Sequence, residues 1–331
     1  MESNLSLFDR VISRPRPAWV IVVVAFVLLL TPFAAAYADG LLNELLDTNH
    51  WRGLLIPPSV ILYIWIVAPI MGKMESNVIS SIRPIVKVDS EEFERLVNQA
   101  RTMNPRNEIV AIGAGLLFGL LYTFGNSDTS LSWTTIYWFL FSPAMYALLA
   151  WTIYVALAGT RLTTALLGHP LRVDPFDVTP FEPIGRQSLF AALVFVGGIT
   201  LSLVFVAFES ESLIQPAFWL IYAPLLSVPI LIFFLNMIPT HRVIAAAKAS
   251  ELEAVRRHIL RSCRELLERL ERNQDSGKLP AEINALGVYE RRLKSTRTWP
   301  YNTAMLRTLF FSVLFPIGTV LLRVIGEALV D

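Results

Sequence analysis

Seven apolar stretches divide this sequence, and the linkers between them alternate between basic and nearly base-free. The stretches cover 18–37, 54–72, 108–125, 134–160, 188–208, 216–238 and 305–326. As helices rising ~1.5 Å per residue, each is long enough to cross a hydrocarbon core of ~30 Å. The N-terminal tail carries Arg10, Arg14 and Arg16. The second linker carries Lys73, Arg83, Lys87, Arg95, Arg101 and Arg106, and the fourth carries Arg161, Arg172 and Arg186. The sixth holds thirteen Lys and Arg, whereas the first has only Arg52 and the third (126–133) and fifth (209–215) have none. Cationic linkers stay in the cytoplasm. The pattern therefore predicts an all-α integral membrane protein of a bacterial-type inner membrane, with its N-terminus cytoplasmic.

Composition agrees. Of 331 residues, 54% are hydrophobic and 17% charged, with mean hydropathy +0.53, against about 25% charged for a soluble domain. The lone Cys263 rules out an intrachain disulfide, and its charged surroundings suggest a reduced thiol. Four scattered histidines show no metal-ligand spacing, and no cofactor motif is present. The lipid bilayer is the expected surrounding, a homo-oligomer and a cytosolic protein are the expected partners, and no nucleic acid is expected.

The pattern gives six regions: a tail (1–17), two membrane helices with an outer interfacial helix (18–72), a helical linker (73–107), four membrane helices (108–238) containing a proline-rich strap (161–187), a cytoplasmic helical hairpin (239–303), and a last transmembrane or re-entrant helix (304–331). Pro316 interrupts that last helix, and Arg323 and Glu327 lie near its end. Arg14, Arg16, the first apolar run and Ala36-Tyr37-Ala38 resemble a signal peptide, but the run is long for one and is read as an uncleaved span. Asp39 is placed to cap a short helix carrying Leu41, Leu42, Leu45 and Leu46 on one face.

In the second linker, Asp89 with Glu92 makes a capping arrangement. Phe93, Leu96, Val97 and Ala100 then share an apolar face, for which the sixth linker is the expected partner. In that linker Leu252, Val255, Ile259, Cys263, Leu266 and Leu270 recur at helical spacing. Glu253–Arg257, Glu265–Arg269 and Glu268–Arg272 are i,i+4 pairs. A turn is expected at Asn273–Gly277 and a second helix from Pro280.

The strap has four prolines and is the most unusual segment. Asp174, Asp177 and Glu182 offer oxygen ligands to a hard cation, or pair with Arg172, Arg186 or the hairpin while Phe176 and Phe181 anchor the strap. Mild polar groups dot the spans, with Asn236 the most polar. Ala111, Gly115 and Gly119 permit close helix approach. Trp299-Pro300-Tyr301 fits an interfacial anchor where the hairpin rejoins the last apolar segment.

The second half, His169 to Arg323, resembles a loose class of uncharacterised bacterial multi-pass membrane proteins. The resemblance rests on Val173-Asp174-Pro175-Phe176-Asp177, on Pro239-Thr240-His241-Arg242 and on Thr298-Trp299-Pro300-Tyr301 ahead of a segment with Pro316. It implies the layout and no mechanism. The leading functional reading from sequence is an oligomeric channel or pore regulated by the hairpin; the alternative is a non-conducting sensor or scaffold that binds a partner or anionic lipid, and third is a lipid-modifying enzyme using Asp174 and Asp177 with His169 or His241. A proton pump or voltage sensor is disfavoured, because the spans hold almost no ionisable residues.

Overall fold

A computed structural model describes residues 17–47, 51–101, 104–126, 131–169, 171, 173–206 and 216–328. The arginines of the N-terminal tail, Pro170 and Arg172 of the strap, and the linker 207–215 lie outside the described residues.

The helices are α1 (Ala18–Ala38), α2 (Leu42–Asp47), α3 (Trp51–Leu54), α4 (Ile56–Ile82), α5 (Ser90–Arg101), α6 (Pro105–Asn126), α7 (Trp133–Leu167), α8 (Glu182–Val206), α9 (Pro216–Glu271), α10 (Leu279–Ser295) and α11 (Thr303–Ala328). Among the described residues there is no strand, only an isolated bridge between Val86 and Leu171. Six helices (α1, α4, α6, α7, α8 and α9) include stretches long and apolar enough to cross a bilayer. In α11 the shorter stretch Thr303–Gly318 is apolar. Large apolar side chains on α1, α6 and α11, such as Phe26, Leu121 and Phe315, are more than 60% exposed. Water would penalise such faces, and hydrocarbon would not.

The bundle is held by close backbone approaches. A Cβ on Gly115 would fall 2.4 Å from the Tyr146 carbonyl oxygen, and one on Gly119 would fall 2.5 Å from Pro143 Cα. The small residues of α6 are therefore occupied by α7 within the same chain. On α8, Gly197 and Gly198 face the Tyr63 ring of α4, and the Tyr63 hydroxyl donates to the Val194 carbonyl at 2.8 Å. Helix α8 sits centrally, burying Ala192, Phe195 and Ile199 against α4, α9 and α11.

One local expectation changes and a second is extended. Asp39 does not cap α2. Its carboxylate accepts the Trp133 and Thr134 amides at 2.9 and 2.8 Å and the Thr134 hydroxyl, so it caps α7 from the end of α1. The cause is geometric: the chain turns at Gly40, φ +71°, which leaves the carboxylate facing the unsatisfied amides of α7. The Thr134 hydroxyl, helped by both amides, holds the Asp39 carboxyl below its usual range.

The amphipathic helix α5 meets the sixth linker, as expected, but packs against the bundle and the strap as well. Phe93 and Val97 join Ile82, Leu166, Phe181 and Ile184 in a core beneath α4, α7 and α8. The sixth linker supplies the buried Ile244, with Val243 packed against the cluster. The Arg83 guanidinium closes this core, lying 4.7 Å from the Phe93 ring centroid and donating to Ser90 Oγ at 2.7 Å.

Gly115→Ala and Gly119→Ala are each expected to destabilise the protein by about 1–3 kcal/mol, because rigid backbone rather than a mobile side chain meets the new methyl. Thermal unfolding in detergent checks this, and unchanged midpoints would refute the close α6–α7 approach.

Candidate functional site

The candidate residues gather where the charged hairpin joins the bundle. Helix α9 runs 56 residues without a break, apolar through Asn236 and charged beyond Pro239. The turn that ends it uses Asn273 and Gly277, both at positive φ (51° and 54°), and α10 starts with Pro280 in its first turn. The face of α9 turned inward carries Val255, Ile259, Ser262 and Leu266. Leu270, expected on that stripe, is 56% exposed. Of the three expected i,i+4 pairs, Glu265–Arg269 closes at 2.6 Å. The two helices are joined instead through Glu290, which pairs with Arg256 at 3.0 Å and Lys294 at 2.8 Å.

The hairpin is clamped at its base. Lys248 Nζ donates to the Lys294 and Thr296 carbonyls at 2.7 and 2.8 Å, filling acceptors left open at the end of α10. The His241 ring stacks on Trp299 with centroids 4.0 Å apart and planes 9° from parallel. Its Nδ1 lies 3.1 Å from the Thr298 carbonyl, so Nδ1–H donates and Nε2 is left bare in the neutral ring. Trp299 and Tyr301 are half-buried against the core formed by Phe233, Met237, Leu309 and Val313. The carbonyl of buried Pro300 lies against Gly185, where a Cβ would come within 2.6 Å. Trp299, Pro300 and Tyr301 thus join α8, α9 and α11 at one point.

The strap's irregular part is shorter than the sequence suggested. Helix α7 continues to Leu167 and α8 begins at Glu182, with Pro183 tolerated in its first turn. Each strap acid is engaged locally. Asp174 Oδ1 accepts the Phe176 amide at 2.9 Å, and Asp177 Oδ1 accepts the Thr179 amide at 3.0 Å. The Thr179 hydroxyl and then its amide hold the Asp177 carboxyl below its usual range. Glu182 takes both Nε and Nη2 of Arg186, at 3.3 and 2.9 Å. Among the described residues no group of three His, Cys, Asp or Glu is arranged to hold a metal ion. Phe176 packs edge-on against Tyr289 at 5.3 Å, under the Arg292 guanidinium, while Phe181 is 1% exposed in the lower core. The strap thereby links bundle to hairpin through two phenylalanines.

Asn236 lies beside this junction and accepts a hydrogen bond from the Thr160 hydroxyl. It also lines a pocket of about 50 Å³ between α4, α7, α8 and α9, with Glu75, Thr163, Gln187 and Ser188. Sequence reasoning missed Glu75, Gln187, Gly185 and Lys248 as site residues. No local pattern marks them, since their partners are remote along the chain.

Two outcomes follow from this geometry. Trp299→Ala and His241→Ala should each destabilise the protein, with a coupling of about 0.5–1.5 kcal/mol in a double-mutant cycle by chemical unfolding. Additive losses would mean that the stack carries no energy. The Lys294 and Arg256 partners hold the Glu290 carboxyl below its ordinary 4.5. Its contribution is therefore complete above that value and is lost as pH falls through the lowered folded-state value. Acid unfolding followed by circular dichroism should show Glu290→Gln losing less stability than wild type below pH ~4.5. Equal losses would contradict the pairing.

No family model matches this chain, and no curated protein or solved structure is significantly similar to it.

Proposed function

We propose that this chain is a multi-pass protein of a bacterial-type inner membrane, with its N-terminus and α9–α10 hairpin on the cytoplasmic side. In this reading it acts as a sensor or scaffold that assembles through the hairpin. The apolar helices, together with α11 as a seventh and shorter span, form the anchor. The sorting of Lys and Arg among the linkers supports the orientation.

One observation carries the sensor reading. Leu260, Leu267 and Leu270 are 56–60% exposed on a helix whose neighbouring side chains are charged. With half-buried Cys263 they occupy 260, 263, 267 and 270, the alternating three–four spacing of a two-helix seam. A second copy offers the same seam from the same side of the membrane, so two hairpins can meet in parallel. The clamp at His241, Lys248 and Trp299 then ties the position of the hairpins to the bundle.

The oligomeric-channel reading has one observation in its favour: Glu75, Gln187 and Asn236 come together in one small pocket of mixed lining, which the Thr160–Asn236 bond borders. Enzyme chemistry has less support, because Asp174 and Asp177 are engaged in turns and His241 with Thr298 and Trp299.

Mild oxidation of the protein in lipid nanodiscs is expected to give a Cys263–Cys263 crosslinked dimer, which Leu260→Glu with Leu267→Glu abolishes. Native mass spectrometry should count at least two chains in wild type. A monomer that never crosslinks would overturn assembly through the hairpin. Ion flux into protein-containing liposomes above that of empty ones would put the channel reading first.

A further inference from the structure

We propose that the groove between α7 and α9 is a binding site for one anionic glycerophospholipid with a hydroxyl-bearing headgroup, of the phosphatidylglycerol class. The proposal rests on the reading that the apolar helices lie in a bilayer. It concerns a site apart from the hairpin seam and the Glu75–Gln187–Asn236 pocket.

The groove has a volume of about 440 Å³, within the range of ligand sites. One wall is Leu157, Thr160 and Thr164 of α7, and the other includes Leu235, Ile238 and Arg242 of α9. Each set falls at helical spacing on one face, and each runs from apolar to polar toward the helix C-terminus. The apolar ends meet each other, as do the polar ends. A lipid has this same polarity, with acyl chain at one end and phosphodiester at the other. Leu157 and Leu235 are partly exposed, so the acyl end of the groove opens sideways, where lipid would stand.

The polar end selects the headgroup. Arg242 is exposed and forms no ion pair among the described residues. A guanidinium donates well to a phosphodiester. The Thr160 hydroxyl already donates to Asn236, and the Thr164 hydroxyl donates to the Thr160 carbonyl at 2.7 Å. Both hydroxyl protons are therefore used, and what remains are lone pairs that accept. A glycerol headgroup supplies the matching donors. No carboxylate lines the groove, so an ethanolamine ammonium would meet only neutral hydroxyl acceptors and no counter-charge there.

Native mass spectrometry of the full-length protein, with phosphatidylglycerol or phosphatidylethanolamine of the same acyl chains added, tests the site. One phosphatidylglycerol per chain should survive activation that strips phosphatidylethanolamine. Arg242→Gln should weaken that retention about tenfold, and Leu235→Trp, which fills the groove, should also lose it. Arg291→Gln, on the exposed hairpin surface, should not. Equal retention of the two lipids, or retention unchanged in Arg242→Gln, overturns the site. Alkaline carbonate washing of membranes separates the two levels. Protein that stays in the pellet keeps the bilayer reading whatever the lipid result, whereas protein released to the supernatant removes that reading and the site with it.

Discussion

Helix α9 carries its backbone hydrogen-bond ladder from an apolar environment into a charged one, and the rest of the structure is organised around that continuity. At 56 residues it is about 84 Å long, well over twice the ~30 Å of a hydrocarbon core. A helix of this length bends easily at proline, and α9 has Pro224, Pro229 and Pro239 inside it. Packing compensates at the third. Around Pro239, Met237, Thr240 and Ile244 are at most 1% exposed, and the next turn is braced by the His241–Trp299 stack and the Lys248 bonds. The helix stays whole where its sequence is weakest because neighbouring elements converge there.

The forces at that junction are unequal. Surface pairs such as Glu182–Arg186 and Glu265–Arg269 are solvent-exposed and contribute at most ~1 kcal/mol each. Burial of Phe181 in the strap and Leu293 in the hairpin, each at most 1% exposed, removes far more apolar area from water, at roughly 1.5–3 kcal/mol per side chain, while Phe233 and Met237 on the apolar part of α9 contribute close van der Waals packing. The polar contacts mainly determine placement. Lys248 fixes where α10 ends, Gly185 allows Pro300 to reach α8, and the strap's aspartates hold Phe176 and Phe181 on opposite sides of a short irregular segment. Hairpin, strap and bundle therefore share side chains, and displacement of one loads the others.

Local patterns made much of this legible. Six of the apolar stretches correspond to helices long enough to span, the hairpin turn follows from Asn273 and Gly277, and the strap's prolines mark its break from helix. What could not be read depends on partners far apart in sequence. Asp39 caps a helix that begins 94 residues later, whereas a local rule assigns it to the nearest helix. The apolar face of α5 announced a need for cover, and the sixth linker expected to supply it gives Ile244 and Val243, while the cover from α4, α7, α8 and the strap was not legible. Glu75, Gln187 and Asn236 share a pocket only because α4, α8 and α9 meet there beside α7. Leu270 shows the limit of period counting: it keeps the spacing of the stripe but lies one residue from the helix end at the hairpin tip, where it is 56% exposed, while Val255, Ile259 and Leu266 of the same stripe turn inward with Ser262.

The most direct test of the account is amide hydrogen exchange of the full-length protein in lipid nanodiscs, resolved across residues 232–250. A helix continuous through Pro239 and braced by His241, Lys248 and Trp299 predicts slow exchange on both sides of the proline, extending to Lys248. Fast exchange confined to 240–245 would contradict it, because a hairpin on a flexible joint cannot be held in fixed relation to the bundle.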